Sequence, residues 1–166
     1  MTELSVIHDT FVIERTYPAT PSRVFAAFAS EVAKNAWGDT GDIAEAEPAV
    51  GLAEFDFRVG GHERFGFVYQ SVSYAYDACY YDIVPDQRLV YSYEMHADGV
   101  RISVSVATIE FAGNGEGTTL TWTEQGAYLD GFDGQDAPRL RQGGTSEMLD
   151  GLGEYLIGAR SSSVAR

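Results

Sequence analysis

The stretch Thr118-Thr119-Leu120-Thr121-Trp122-Thr123-Glu124-Gln125 decides the fold. Successive side chains of an extended chain point to opposite faces. Leu120, Trp122 and Glu124 therefore share one face, and Thr119, Thr121 and Thr123 the other. This two-residue period marks a strand with one buried side. Segments of the same kind precede it: His62 to Gln70, Ser73 to Val84, Arg88 to His96 and Val100 to Phe111. Short turn signals separate them, at Pro85-Asp86, Asp98-Gly99 and Gly113 to Gly117. Leu52 to Val59 reads as a further strand, joined to His62 to Gln70 through the hairpin signal Gly60-Gly61. Hairpin connections make the sheet antiparallel.

Towards the N-terminus, Phe11 to Tyr17 is another strand, ended by Pro18 and Pro21. Thr20 can cap a helix that has Pro21 in its first turn. Val24, Phe25, Phe28, Val32 and Ala36 recur at helical spacing, which gives one or two short helices ending near Trp37-Gly38. Gly38 to Val50 is acidic and reads as a loop. Beyond Gln125, Gly126 to Pro138 is a glycine- and aspartate-rich loop. A long helix then runs to about Ala159, with Leu140, Met148, Leu149, Leu152, Leu156 and Ala159 on one stripe. Gly143, Gly144, Gly151 and Gly153 each weaken that helix by roughly 1 kcal/mol against alanine, or let it approach the sheet closely. A half-buried sheet and an amphipathic helix must cover each other. The reading is an α+β chain: a curved antiparallel sheet of about six to seven strands wrapped around a long C-terminal helix, with two short helices after the first strand. One domain covers 1–160, and the serine-rich tail 161–166 is expected to be disordered.

Composition narrows the function. The 166 residues are 45% hydrophobic and 13% aromatic, a generous supply of rings for one core. The 25 acidic against 11 basic residues give a net charge of −14, which argues against nucleic acid as a partner. No apolar run is long enough to span a membrane, and the N-terminus lacks the pattern of a signal peptide, so the expected location is the cytoplasm. The lone Cys79 permits no internal disulfide. His8, His62 and His96 show no metal-ligand spacing, and no dinucleotide, phosphate-loop or nucleophile-elbow motif occurs, so no metal or cofactor is expected. His62, after the glycine pair, is expected at the surface. The loop Asp130 to Asp136 faintly resembles a calcium loop, but Arg141 stands where that motif needs a glutamate.

Five motifs occur in order along the chain: Ala19-Thr20-Pro21-Ser22-Arg23-Val24-Phe25; Phe57-Arg58-Val59-Gly60-Gly61; Asp82-Ile83-Val84-Pro85-Asp86-Gln87-Arg88-Leu89; Gly117 to Gly126; and Gly143-Gly144-Thr145 through Leu149-Asp150-Gly151-Leu152. Together they resemble the START-like, or Bet v 1-like, SRPBCC superfamily. The similar branch is that of homologues of the activator of heat-shock protein 90 ATPase, called polyketide-cyclase-like in bacteria. The resemblance implies a helix-grip fold with a cavity between sheet and helix, and members that bind varied ligands. The chaperone activator itself has an additional N-terminal domain, for which no room is expected in these 166 residues, and direct chaperone activation is accordingly not the expected role.

Glu124 is the candidate acid, base or polar anchor, because an inward carboxylate has its pKa raised by desolvation. Leu89, Tyr91, Tyr93 and Met95 should face inward with it. On the next strand, either Ser103, Ser105 and Ala107 or Ile102, Val104 and Val106 could face inward, and a bulge would reconcile the two sets. The candidate ligand-binding residues are Trp37, Phe55, Phe57, Phe65, Phe67, Tyr69, Tyr81, Tyr91, Tyr93, Trp122 and Glu124. Three functions compete. The first is binding of a hydrophobic or aromatic small molecule, lipid- or polyketide-like, in a cavity on the order of 300–1,000 Å³. The second is a cyclase- or hydrolase-type enzyme using Glu124 with a tyrosine. The third is a chaperone or stress accessory, which needs a filled interior and an exposed apolar patch. A homodimer is compatible with each.

Overall fold

The computed structural model describes residues 3–38 and 53–159. The chain runs through β1 (Val6–Tyr17), α1 (Pro21–Ala29), α2 (Glu31–Gly38), β2 (Glu54–Phe55), β3 (His62–Tyr69), β4 (Val72–Val84), β5 (Arg88–Ala97), β6 (Val100–Gly113), β7 (Thr118–Leu129) and α3 (Ala137–Leu156). Among the described residues the strands form one seven-stranded antiparallel sheet, in the order β1-β7-β6-β5-β4-β3-β2. This is the helix-grip α+β architecture expected from the sequence. Most of the acidic stretch expected as a loop, the residue Leu52 and the tail 161–166 lie outside the described residues.

The inner face of the sheet follows the alternation. Leu89, Tyr91 and Tyr93 of β5 are buried, as are Leu120, Trp122 and Glu124 of β7. On β6 the inward set is Ser103, Ser105, Ala107, Ile109 and Phe111, with Val104 and Val106 exposed outside. A bulge accounts for the buried Ile102. Met95 pairs with Ser103 and His96 with Arg101, so Ile102 is the extra residue.

Three expectations about the strands are corrected. Gly60-Gly61 does not make a two-residue hairpin between two long strands, because the backbone of this pair bonds to Tyr80 of β4 instead. Only Glu54 and Phe55 are left to pair with β3. β7 does not stop at Gln125 but continues to Leu129, with Gly126 to Leu129 paired to β1 on one side. His62 is half-buried, with Nδ1 3.1 Å from Asp77 Oδ1.

The helices cover the inner face. Thr20 Oγ1 caps α1 by accepting from Arg23 N at 3.2 Å. Phe28 then packs its ring against Trp37 and Phe111, with centroids 4.9 and 5.4 Å apart. Thus α1 and α2 close the end of the sheet that holds the β6–β7 turn. Val32 and Ala36 do not carry the buried side of α2. The extended backbone at Ser30 restarts the helix in a new phase, so Ala33 and Trp37 face inward and Val32 is 61% exposed. Thr145, Leu149, Leu152 and Leu156 of α3 are buried, while Leu140 and Ala159 are not. Tyr17 Oη donates to Leu149 O at 2.8 Å, and Arg23 Nη2 to Leu156 O at 2.8 Å, tying α3 to β1 and α1. The approach of β1 to β7 requires Gly117, where a Cβ would lie 2.0 Å from Tyr17 O.

Candidate functional site

The inward row of β7 is Leu120, Trp122, Glu124, Gly126 and Tyr128, and the polar centre of the molecule is built on it. Glu124 is fully buried. Tyr93 Oη, from β5, donates to Glu124 Oε1 at 2.5 Å, and Trp122 Nε1 donates to Oε2 at 3.1 Å. Arg141 comes across from α3. Its Nη1 donates to Tyr93 Oη at 2.8 Å and to Ser105 Oγ at 3.4 Å, and its Nη2 donates to Ser103 Oγ at 2.7 Å. The same Nη1 stands 3.7 Å from Glu124 Oε1. Burial raises the Glu124 carboxyl above the usual carboxylate range, and the Tyr93 bond and the Arg141 charge partly oppose it. The guanidinium also lies over two rings, 5.3 Å from the centroid of Tyr93 and 5.5 Å from that of Tyr128.

Gly126 lets Tyr128 fold back over the strand. A Cβ at Gly126 would lie 3.0 Å from Cε2, Cζ and Oη of that tyrosine. Tyr128 is 5% exposed, and its hydroxyl is the one fully buried side-chain polar atom among the described residues without a hydrogen-bond partner. Burial pushes its pKa up to about 12, against the pull of Arg141.

These groups border a cavity of about 170 Å³ at the end of the sheet opposite α1. Phe67, Tyr74, Met95, Ile102 and Tyr128 line its sheet side, Phe132 and Ala137 its loop and helix side, and Ser103, Asp133 and Arg141 supply polar groups. Phe132 stands edge-on to Tyr74, with centroids 6.3 Å apart. The volume is smaller than expected from the sequence and close to the ~150 Å³ of an engineered apolar cavity that holds benzene. A groove of about 430 Å³ between β1 and α3, lined by residues such as Ile13, Arg15 and Arg139, is larger but shallow and open.

Of the aromatic candidates, Phe67 and Tyr69 line the cavity. Tyr93, Trp122 and Glu124 lie behind it, connected to it through Arg141. Tyr91 and Trp37 are core residues, and Trp37 Nε1 donates to Ala27 O. Phe57 packs edge-on against Phe25 and Tyr80, and Phe55 stacks on Phe57. Phe65 is 42% exposed and stacks on Tyr76. Tyr81 is 64% exposed, because the irregularity between Tyr80 and Asp82 leaves it unpaired on the outside.

Sequence reasoning missed Arg141, Tyr128 and Phe132. Arg141 carried a signal: it precedes the buried Thr145 by four residues and Leu149 by eight, on the face of α3 that turns inward. Tyr128 shares the parity of Trp122 and Glu124, but Gly126 between them is a local signal for a strand end, which hides it. A second buried polar cluster was missed too. Lys34 Nζ donates to Glu63 Oε2 at 2.5 Å, and Tyr80 Oη donates to the same oxygen at 2.6 Å. Its partners satisfy one another, and it fastens α2 to the sheet. Among the described residues no group of three or more His, Cys, Asp or Glu side chains is placed to hold a metal ion, and no helix is long and apolar enough to cross a membrane.

Comparison with known proteins agrees with this architecture. A structure of a protein from Rhizobium leguminosarum is 39% identical, covers 94% of this chain and 99% of its own, and superposes with a TM-score of 0.81. One from Rhizobium loti is 44% identical, covers 90% and 97%, and gives 0.76. A protein of the dynemicin biosynthetic locus, DynU16, shares the fold at 19% identity and a TM-score of 0.63, over 93% of this chain and 49% of its own. No curated protein matches the chain significantly. The family model described as Activator of Hsp90 ATPase homolog 1-like protein matches residues 18–157, and the chain belongs to that family.

Proposed function

We propose that this protein binds a small hydrophobic or aromatic molecule in the cavity between β3–β7 and the start of α3, as a cytoplasmic binding protein. The observation that carries this reading is the combination of an apolar, aromatic-lined cavity with a polar group, Arg141, held in place by Tyr93, Ser103, Ser105 and Glu124. Ligand pockets are typically apolar with a few well-placed polar groups. The volume of about 170 Å³ suits a single aromatic ring with a short substituent, or the end of a longer molecule reaching out past Phe132.

Binding is favoured over acid–base chemistry at Glu124. That carboxyl is not part of the cavity wall, and Tyr93 and Trp122 already donate to it. We therefore assign Glu124 as a positioning residue for Arg141. An interaction role is less well supported, because the exposed Val12 and Val106 of the outer face have Thr123 and Gln125 as register neighbours, which interrupts the apolar surface there. The reading needs no second copy of the chain.

Titration with ethylbenzene, followed by methyl and amide NMR, tests it. The expected result is saturable shifts centred on Met95, Ile102 and Leu129. Shifts spread over the surface, or none at the solubility limit, would overturn it.

A further inference from the structure

Among the described residues, the sheet ends differently at its two edges. β2, at one edge, is two residues long, and a short edge strand is one way in which sheets avoid pairing with other chains. β1, at the other edge, has 12 residues and pairs with β7 in unbroken register, without bulge or proline. Hydrogen-bonded pairs alternate along an antiparallel ladder. Asp130 N donates to Ser5 O at 2.9 Å, one step beyond the Val6 and Leu129 pair. The backbone of the odd-numbered residues of β1 therefore turns to β7, and that of the even-numbered residues turns to the open edge. Glu14 O follows this parity, since it accepts from Arg15 Nη1 at 3.2 Å. The backbone N–H and C=O of His8, Thr10 and Val12 face the open edge with no partner among the described residues. Val12 is 57% exposed, and the shallow groove between β1 and α3 runs past it to Arg15.

A free backbone edge takes up another strand, and side chains select which one. We propose that the partner of β1 is β1 of a second copy of this chain, paired antiparallel about a two-fold axis at Val12, so that two seven-stranded sheets become one. Such an interface is self-complementary. An axis normal to the sheet sets residues of one face opposite residues of the same face, and even-numbered backbone opposite even-numbered backbone, as the free groups require. Centred on Val12, the pairing sets Asp9 of each copy opposite Arg15 of the other, which makes two pairs of opposite charge. Asp9 is exposed, and Arg15 keeps 29% of its side chain exposed beside Asp150. Val12 meets Val12 of the second copy, and both lose apolar surface to the contact. Centring on Phe11 sets Asp9 opposite Ile13 and Arg15 opposite Ile7. Centring on Ile13 sets Asp9 opposite Tyr17 and Arg15 opposite Phe11. Both alternatives lose the charge pairs. The net charge of −14 on each copy opposes association, so the dimer is reversible.

Sedimentation equilibrium of the full chain, from micromolar to near-millimolar concentration, tests the dimer. The wild type should associate reversibly to a dimer and no further, since the pairing uses up both β1 edges. Val12→Lys sets two like charges against each other on the axis and should weaken association about tenfold or more. Its melting temperature at low concentration should stay near that of the wild type, because Val12 is exposed in the single copy. Cross-linking then tests the register, in a Cys79→Ser background that removes the lone native thiol. Val12→Cys should form a disulfide between copies on mild oxidation, since the residue lies opposite itself. Thr10→Cys should not, because its counterpart in the second copy lies four residues along the strand, about 14 Å away. A wild type that stays monomeric at every concentration overturns the proposal. Val12→Lys that associates as the wild type does places the contact elsewhere and overturns it too. Cross-linking at Thr10→Cys equal to that at Val12→Cys overturns the register. None of these outcomes bears on the cavity, whose occupancy is read separately with ethylbenzene.

Discussion

At the scale of single residues, the structure turns on Arg141 facing Glu124 in the interior. Removing one partner of a buried ion pair leaves the other charge uncompensated, which costs about 3–5 kcal/mol. Arg141→Met should lower stability by that order at neutral pH in urea denaturation. The loss should shrink in acid, where Glu124 takes up a proton. An equal loss at both pH values would show that packing, and not charge, accounts for it. Glu124 itself gives a second expectation. Its pKa rises on folding because of burial, so the folded chain keeps the proton at pH values where the unfolded chain has lost it. Stability therefore falls as pH rises from the ordinary carboxylate range to the folded pKa, and then levels. Glu124→Gln removes this slope. The urea midpoint of the variant relative to wild type should climb with pH from about 4 upward. A difference that stays constant with pH would contradict the raised pKa.

At the scale of elements, α3 combines strong and weak positions. Leu149 and Leu152 are fully buried against the sheet, and truncating either to alanine should cost about 2–5 kcal/mol. Gly143 and Gly144 lie in the same helix, exposed, and a Cβ at either meets nothing within 4 Å. The close approach anticipated for the helix glycines does not occur at these two. Gly143→Ala and Gly144→Ala should each stabilise the protein by about 0.5–1 kcal/mol, read as a raised melting temperature. A loss on either substitution would mean that an unrecognised contact uses the bare backbone.

The same elements show what the sequence made legible. Two-residue alternation placed Leu120, Trp122 and Glu124 correctly, because strand parity does not depend on tertiary context. Phase was harder to read in helices. The break at Ser30 shifts α2 by one residue, and at the start of α3 the inward position belongs to Arg141 and not to the neighbouring Leu140. Glycine misled twice, in opposite ways. Gly60-Gly61 suggested a hairpin but pairs with β4, and Gly126 suggested a strand end but makes room for the Tyr128 ring. Long-range partners decided both outcomes, and no local pattern records them.

At the scale of the whole molecule, the two ends of the sheet are treated differently. α1 and α2 fill one end with interlocking rings around Phe28. The other end is bordered by the turn after β7 and the first turns of α3, and the cavity lies there. The fold was legible because five motifs and the element order agree along nearly the whole chain. The site was legible only in part. Glu124 and Tyr93 were found by strand parity, but the cation that joins them to the cavity comes from a helix distant in sequence. Most of the candidate rings build the core or the sheet edge, and of the candidates Phe67 and Tyr69 reach the cavity wall.

This cavity, and not the larger groove between β1 and α3, is proposed to receive a small apolar molecule. The decisive measurement is a crystal structure of the protein soaked with ethylbenzene. Ring density bounded by Phe67, Met95, Ile102 and Tyr128 is the expected result. Density confined to the groove beside Ile13 and Arg139, or an unoccupied cavity at saturating ethylbenzene, would overturn the proposal.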